Sequence, residues 1–308
     1  SGMSTPSSRC ARSTATQSRR SATTLAAGDQ IATISALAYL LASTLGIAAR
    51  VVTKEQLTVW GVYFVGVDLA WGERSPTGVA ALDGEGALCH VGVAGDDADV
   101  LAQLNPYISG PCVVAVDAPL VVGNPTGNRP CEAALNRDFR RFDAGAHPAN
   151  TGLPWFADGG RGARLCAALD LDLDPRSTAP RRALEVYPHA ASVVLFGLDK
   201  TLKYKQKQGR DFARLRSELL RLMDFVEGLR SATPTLVTAN TAWSGLRDEV
   251  LTATRKSALR RAEDPVDAVL CAYIARFVAH RPDDVTVYGD VITGCIVTPT
   301  LPTSASSH

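Results

Sequence analysis

The alternation of apolar and polar positions becomes regular at the run VYFVGVDLAW, residues 62–71, which predicts a buried β-strand. Odd-numbered apolar residues of this run would face one side of the strand, while Gly66 and Asp68 would face the other. Asp68 is then a lone charge at the end of a buried strand, where an unpaired carboxylate is costly. A strand-end aspartate that caps a neighbouring turn is the simpler alternative.

The next segments predict how the sheet continues. Residues 77–82 and 87–93 flank the turn-like sequence DGEG and predict two antiparallel strands. A short helix is predicted at 96–105, and residues 112–118 form the next buried strand. A strand, a hairpin, a helix and a return strand predict an α/β protein with an RNase H-like mixed β-sheet. Three antiparallel strands would be followed by parallel strands, with helices on the flanks.

The second half of the chain predicts mainly helices. Asp264 suits an N-cap and Pro265 suits a first helical position, so a helix is expected to begin there. Gly, Pro, Asn and Arg dominate 120–165, which is long for a plain connector and therefore favours a functional loop. The remaining predicted elements are helices at 130–141, 211–229, 247–262 and 264–280, a strand at 183–186, and a final strand or hairpin at 285–299.

The two ends of the chain differ from this domain, predicted at 62–300. Residues 1–30 are rich in Ser, Thr, Ala and Arg and predict disorder, and 301–308 predict a flexible tail. Residues 31–61 form an apolar extension that is expected to be helical. Its uncharged part, 31–49, is marginal in length for a membrane span. A helix packed on the domain, or extra sequence from an overextended start, is favoured over a membrane anchor.

Composition limits the function classes. Hydrophobic residues make up 46% and charged residues 20%, which is typical of a globular protein. The net charge of +1 gives no overall basic field, so a nucleic-acid partner would need a local basic patch. Seven cysteines show no zinc-ligand spacing and predict reduced thiols, hence a cytoplasmic protein.

Four aspartates are the candidate chemistry. Asp117 repeats the pattern of Asp68, an acid late in a buried strand, where ligands of such sheets tend to bind. Asp264 and Asp267 are three residues apart and share one face of a helix start, although helix capping alone would also select acids there. Together the four predict a carboxylate site for Mg²⁺ or Mn²⁺.

Two further residues near 185 are candidates. Glu185 lies at a strand end before Pro188 and is predicted as a fourth catalytic acid or a general base. An ion pair with Arg181 or Arg182 is the alternative. His189 is a candidate for proton transfer or substrate contact, although a lone histidine is more often structural.

Basic stretches supply candidate substrate contacts. Arg129 and Glu132 follow Asp117 closely and are expected at the mouth of the same site, since arginine suits phosphate. Lys205 belongs to a basic stretch at 200–210, and a second stretch spans 255–261. Both stretches could form the local positive patch, or could be ordinary solvated surface.

The ordered motifs resemble one family. They are VGVDLAW, AVDAPL, TGNRPCE, EVYPHA, YK and DPVDAVLCAY, which lie between residues 65 and 273. They resemble domain-of-unknown-function family 429, described as predicted nucleases of the RNase H-like fold, with an acidic site similar to that of RuvC-type resolvases. The resemblance covers about residues 62–300. It implies catalytic acids at Asp68, Asp117 and Asp267, with Glu185 or Asp264 in addition, and polar partners at Arg129 and Lys205.

The expected function is therefore a metal-dependent nuclease or phosphodiesterase. Two Mg²⁺ or Mn²⁺ ions would be bridged by Asp68 and flanked by Asp117 and Asp267. The partner would be DNA or RNA, and enzymes of this fold often work as homodimers. Two alternatives are an ATP-dependent phosphotransferase related to the actin and sugar-kinase folds, and a non-catalytic nucleic-acid-binding module.

Overall fold

A computed structural model describes residues 61–73 and 75–302 of the 308-residue chain. The predictions for 1–30, for 31–61 apart from Gly61, and for most of 301–308 lie outside these described residues. No helix within 61–73 and 75–302 is long and apolar enough to cross a lipid bilayer.

A five-stranded mixed sheet forms the centre of the molecule. Its spatial order is β3-β2-β1-β4-β5. β1 pairs antiparallel with β2 and parallel with β4, β2 pairs antiparallel with β3, and β4 pairs parallel with β5. The strands are β1 (Tyr63–Asp68), β2 (Thr77–Leu82), β3 (Leu88–Ala94), β4 (Cys112–Val116) and β5 (Arg181–Glu185). The predicted mixed α/β class and strand arrangement are confirmed.

Helices cover both faces of the sheet, and a separate antiparallel hairpin follows the last of them. The helices are α1 (Asp97–Ile108), α2 (Pro130–Phe139), α3 (Arg161–Ala168), α4 (Pro188–Leu195), α5 (Phe212–Gly228), α6 (Thr241–Thr252) and α7 (Lys256–His280). The hairpin is β6 (Val285–Asp290) and β7 (Gly294–Pro299). Asp96 and Asp211 accept backbone N–H groups as N-caps of α1 and α5, as short polar side chains at that position do. Helices α3 and α4 were not predicted from the sequence.

The alternation of the strands divides the core into two layers. Val65 and Val67 of β1 belong to one layer, together with buried residues of α1 and α3. Phe64 belongs to the other layer, which contains α7 and most other helices. Gly66 and Asp68 share this second face with Phe64 because side chains alternate along a strand. The predicted facing of β1 is therefore correct.

Two glycines let α7 approach the sheet at backbone distance. A Cβ atom at Gly66 would overlap the backbone carbonyl oxygen of Ala268 in α7, and one at Gly78 of β2 would overlap the backbone of Asp264. Gly78 is also the register partner of Asp68. Helix α7 therefore crosses the sheet directly beside Asp68, and only residues without a side chain allow this approach.

The predicted start of the last helix is wrong. Helix α7 begins at Lys256 and runs through Pro265, so Asp264 is not its N-cap. Proline removes one helical hydrogen bond, but Ala262 and Val266 on either side of it are fully buried, and this packing outweighs the local preference.

The predicted helix at 247–262 is wrong as a single element. Asn240 caps α6 by accepting the N–H of Ala242, so that helix begins at Thr241, six residues before the predicted start at 247. The chain turns extended at Ala253 and again at Arg255, and α7 begins afterwards. The break separates the two halves of the predicted helix.

Candidate functional site

The aspartate group lies where the carboxyl ends of β1 and β4 meet the middle of α7. Asp68 is the last residue of β1, and Asp117 directly follows β4 and donates its backbone N–H to Val67 O. Parallel strands bring their carboxyl ends to one edge of the sheet, so the two acids are neighbours. Asp264 and Asp267 reach the same place because α7 crosses at Gly78 and Gly66.

A lysine lies among these acids. Lys205 Nζ is 3.1 Å from Asp68 Oδ2 and 2.6 Å from Asp267 Oδ2. Asp267 is completely buried, and its other oxygen accepts the Tyr204 hydroxyl at 2.6 Å. The side chain of Lys205 is 28% exposed, so its ammonium reaches both the acids and the solvent side of the site. We call Asp68, Asp117, Asp264, Asp267 and Lys205 the aspartate group.

The aspartate group contains four acids and one cation, and the pKa values of three of these acids are raised. Burial raises the pKa of Asp68 well above its usual value; Lys205 opposes the rise, while Asp267, Asp117 and Asp264 add to it. Burial also raises the pKa of Asp117 to about 7 and raises that of Asp264. Acids with raised pKa values in one place are typical of functional sites.

Lys205 shows the opposite balance. Burial alone would lower its pKa, but Asp267 and Asp68 outweigh burial and raise the pKa well above its usual value. Lys205 is therefore a permanent cation. By contrast, the side chains of Asp117 and Asp264 form no hydrogen bond or ion pair with any described residue.

Glu185 belongs to a second buried charged group. It pairs in register with Val116 of β4, lines the same cleft as Asp68 and Asp117, and adds through its charge to the raised pKa of Asp117. Arg129 binds it through two nitrogens, at 2.9 and 2.5 Å, and binds Glu132 through Nε at 2.8 Å. We call these three residues the arginine network. The alternative partners of Glu185, Arg181 and Arg182, instead donate to backbone carbonyl groups.

The arginine network fixes the long loop to the sheet. Arg129 precedes α2, Pro130 is its first residue, and Glu132 accepts the Arg129 backbone N–H as the third helical residue of a capping box. Arg129 and Glu132 are each only 1% exposed. Both therefore lie in the wall of the cleft, where Arg129 is paired with Glu132 and with Glu185.

His189 lies in the first turn of α4, near the basic segment. Its ring packs against Tyr204 and its Nδ1 is 3.3 Å from the Thr201 hydroxyl. Burial and the positive charge of Lys205 lower its pKa to about 4, so the ring is neutral at pH 7. A neutral imidazole can accept or relay a proton.

The aspartate group lines two adjoining clefts. The first, of about 350 Å³, contains Asp68 and Asp117 together with the arginine network and His189. The second, of about 580 Å³, contains Asp264. Cations line both clefts: Lys203, Lys205, Lys207 and Arg210 in the first, and Lys205, Lys207, Lys256 and Arg260 in the second.

Aromatic side chains border the first cleft. Trp71, three residues after Asp68, lines this cleft and packs edge-on against Phe156 and Trp155. Trp155 is 48% exposed. The sequence alone gave no signal for this contact, because Trp155 lies far along the chain in the long loop.

Whether a divalent metal ion fits this site depends on the side-chain atoms available to bind it. Among residues 61–73 and 75–302, no group of three or more His, Cys, Asp or Glu side chains is closed around a metal position. Lys205 lies at the position between Asp68 and Asp267 instead. The donor chemistry nevertheless suits a hard cation, because the donors are carboxylate oxygens and those of Asp117 and Asp264 have no hydrogen-bond partner among the described residues.

The fold and the site together define an α/β protein with a buried, carboxylate-rich cleft at the edge of a mixed sheet. Residues 66–292 match the family model DUF429, whose description is "Protein of unknown function", and the chain belongs to this family. The family assignment made from the motifs is thereby confirmed, whereas the nuclease activity that the resemblance implies stays a prediction. Neither the curated proteins nor the solved structures gave a match.

Proposed function

We propose that the protein is a metal-dependent nuclease that hydrolyses phosphodiester bonds of DNA or RNA. The observation that carries the proposal is the aspartate group, in which acids from β1, β4 and α7 converge with a single cation among them. Keeping two buried acids, Asp68 and Asp267, beside two half-buried ones is costly unless something neutralises them. A bound divalent cation is the neutralising partner that carboxylate oxygens prefer.

The residues that would hold Mg²⁺ or Mn²⁺ are Asp68, Asp117 and Asp267, with Asp264 beside them. Such an ion, when bound, activates water and stabilises negative charge on a phosphate. The remaining work falls to the protein. Asp267 is held in one orientation by the Tyr204 hydroxyl, and the arginine network holds the loop that forms the opposite wall.

The cations around the two clefts support a phosphate-bearing substrate. Lys207 lines both clefts, and Arg260 lines the second, and neither forms an ion pair among the described residues. Cations without internal partners are free to meet phosphate groups. They also supply the local positive charge that the net charge of +1 does not show.

Cleavage assays on labelled single-stranded and double-stranded DNA and RNA test the proposal. Wild-type protein with Mn²⁺ or Mg²⁺ is expected to cut at least one substrate. Asp68→Asn is expected to lose at least about 100-fold in rate, the upper range for groups that only orient metal ligands. Asp248→Asn is the matched control, because Asp248 is an exposed aspartate on α6 away from both clefts.

Equal rates for wild type and Asp68→Asn would refute the proposal, as would cleavage that persists unchanged in EDTA. Absence of cleavage of any substrate by pure, folded, metal-supplemented protein would also refute it. Circular dichroism of both variants separates a lost reaction from a lost fold.

A further inference from the structure

The position of Lys205 differs from that of an ordinary surface lysine. Its ammonium lies between an acid of β1 and an acid of α7, 3.1 Å from Asp68 Oδ2 and 2.6 Å from Asp267 Oδ2. A cation bridging these two acids would contact the same oxygens. The ammonium therefore already occupies a bridging position in the aspartate group.

The segment that carries Lys205 is fixed on both sides. Tyr204, the preceding residue, is buried and donates its hydroxyl to Asp267 Oδ1. Arg210 donates to the backbone carbonyl of Lys205, and Lys256 of α7 donates to that of Arg210, both at 2.5 Å. The backbone N–H of Lys203 is bound by Glu218 of α5 at 2.9 Å. These contacts hold the ammonium at the acids.

The position of the ammonium limits how many further cations the site accepts. Asp68 is the acid expected to bridge a metal pair and Asp267 is one that flanks it, and Lys205 already contacts one oxygen of each. A divalent ion on those same oxygens would lie against the ammonium, and like charges at contact distance repel strongly away from water. The carboxylates of Asp117 and Asp264 have no partner among the described residues and stay open to one further cation.

We propose that Lys205 is a built-in cation that replaces one of two metal ions, so that the site binds a single divalent ion beside it. This inference rests on the proposed function, because it concerns the same carboxylate site. It replaces the two-ion arrangement predicted from the sequence. Because Lys205 lines both clefts, its charge also faces the space in which a substrate phosphate would lie.

Counting bound Mn²⁺ by calorimetry and by electron paramagnetic resonance of free Mn²⁺ tests the proposal. Wild type and Lys205→Arg, which keeps the charge, are expected to bind one ion per chain. Lys205→Met, which removes the charge and keeps the length, is expected to bind two, with the first at least tenfold more tightly than wild type. Lys200→Met is the matched control, since Lys200 lines neither cleft and contacts exposed Asp143 and the backbone carbonyl of Arg141.

The outcomes separate the two proposals. Two ions in wild type together with metal-dependent cleavage would overturn the role of Lys205 and leave the nuclease intact. Binding of only one Mn²⁺ ion by Lys205→Met, with the affinity of wild type, would likewise overturn the role of Lys205 and leave the nuclease proposal intact. No Mn²⁺ binding by any variant, with no cleavage, would overturn both. If Lys205→Met does not fold without metal, the wild-type stoichiometry remains decisive.

Discussion

The protein buries two charged groups beside one cleft, and they are built in opposite ways. In the arginine network, Arg129 binds two glutamates, and both glutamates accept further backbone N–H groups from Leu120 and Ala149. In the aspartate group, Asp117 and Asp264 have no hydrogen-bond or ion-pair partner among the described residues, and Lys205 contacts Asp68 and Asp267.

The arginine network is built to stabilise the fold, whereas the aspartate group is suited to binding a ligand. A buried ion pair whose atoms are all bonded holds its elements in one arrangement, here the long loop against β5. Asp117 and Asp264 are half-buried acids without a partner, which contribute nothing of this kind and lower stability. Under the proposed function, a cation or a substrate is the partner that they receive. Four variants or conditions would sharpen or break this contrast.

Gly66→Ala is expected to have the largest effect. The new methyl group would overlap the carbonyl of Ala268, so α7 must move away from the sheet and carry Asp267 away from Asp68. We expect the free energy of unfolding to fall by about 4 kcal/mol or more, as for other severe core clashes. Urea unfolding measures it. Gly110→Ala has open space around the new Cβ and serves as control; an equal loss there would contradict the close-approach argument.

Arg129→Met is expected to destabilise by about 3–5 kcal/mol, because it leaves two buried glutamates without their partner. Arg164→Met provides the comparison, since the Arg164–Glu73 pair is exposed on both sides and should contribute less than about 1 kcal/mol. Urea unfolding of the two variants decides the point. Similar losses of stability in Arg129→Met and Arg164→Met would mean that burial does not determine how much the arginine network stabilises the fold.

Mn²⁺ is expected to stabilise the wild-type protein through the aspartate group alone. At a free concentration 100-fold above the dissociation constant, the gain would be about 2.7 kcal/mol. Thermal unfolding at increasing Mn²⁺ measures it, and the shift should vanish in Asp68→Asn and persist in Asp248→Asn. A shift of equal size in all three proteins would locate the ion elsewhere.

Asp117→Asn is expected to raise stability, on the order of 1 kcal/mol at pH 8. The pKa of Asp117 is raised to about 7 in the folded protein, mainly by burial. The folded state thus binds more protons than the unfolded state between pH 4 and pH 7, and wild-type stability falls as pH rises through that window. The variant should show a weaker fall. A variant less stable than wild type at pH 8 would show that the Asp117 carboxylate has a stabilising partner in the folded protein.

Much of the sheet could be predicted because buried strands leave a local signal. The runs ending at Asp68 and Asp117 are apolar except for their acids, and those acids do lie together at one edge. Asp264 and Asp267 were predicted on helical spacing, which holds even though the helix begins eight residues before Asp264, at Lys256. An error in the predicted start of a helix leaves the spacing of its residues correct but makes the assigned N-cap wrong.

Long-range contacts could not be predicted. Lys205 was singled out only by the YK motif of the family resemblance, and as a substrate contact; its position between Asp68 and Asp267 left no local signal. Burial of Arg129 depends on Glu185, 56 residues later. The one signal available was Gly66, two residues before Asp68 on the same face of a buried strand, where a missing side chain indicates a close neighbour.

The tryptophans beside the cleft give the molecule an internal optical reporter. The chain has four tryptophans; Trp71 lines the cleft that contains Asp68, Trp155 packs against it, and Trp243 is buried with its indole nitrogen bound to Glu227. Indole emission responds to the polarity and charge around the ring, so filling the cleft should alter the spectrum of Trp71. Occupancy can thus be followed in unlabelled protein, with Trp155→Phe to separate the contribution of the exposed ring.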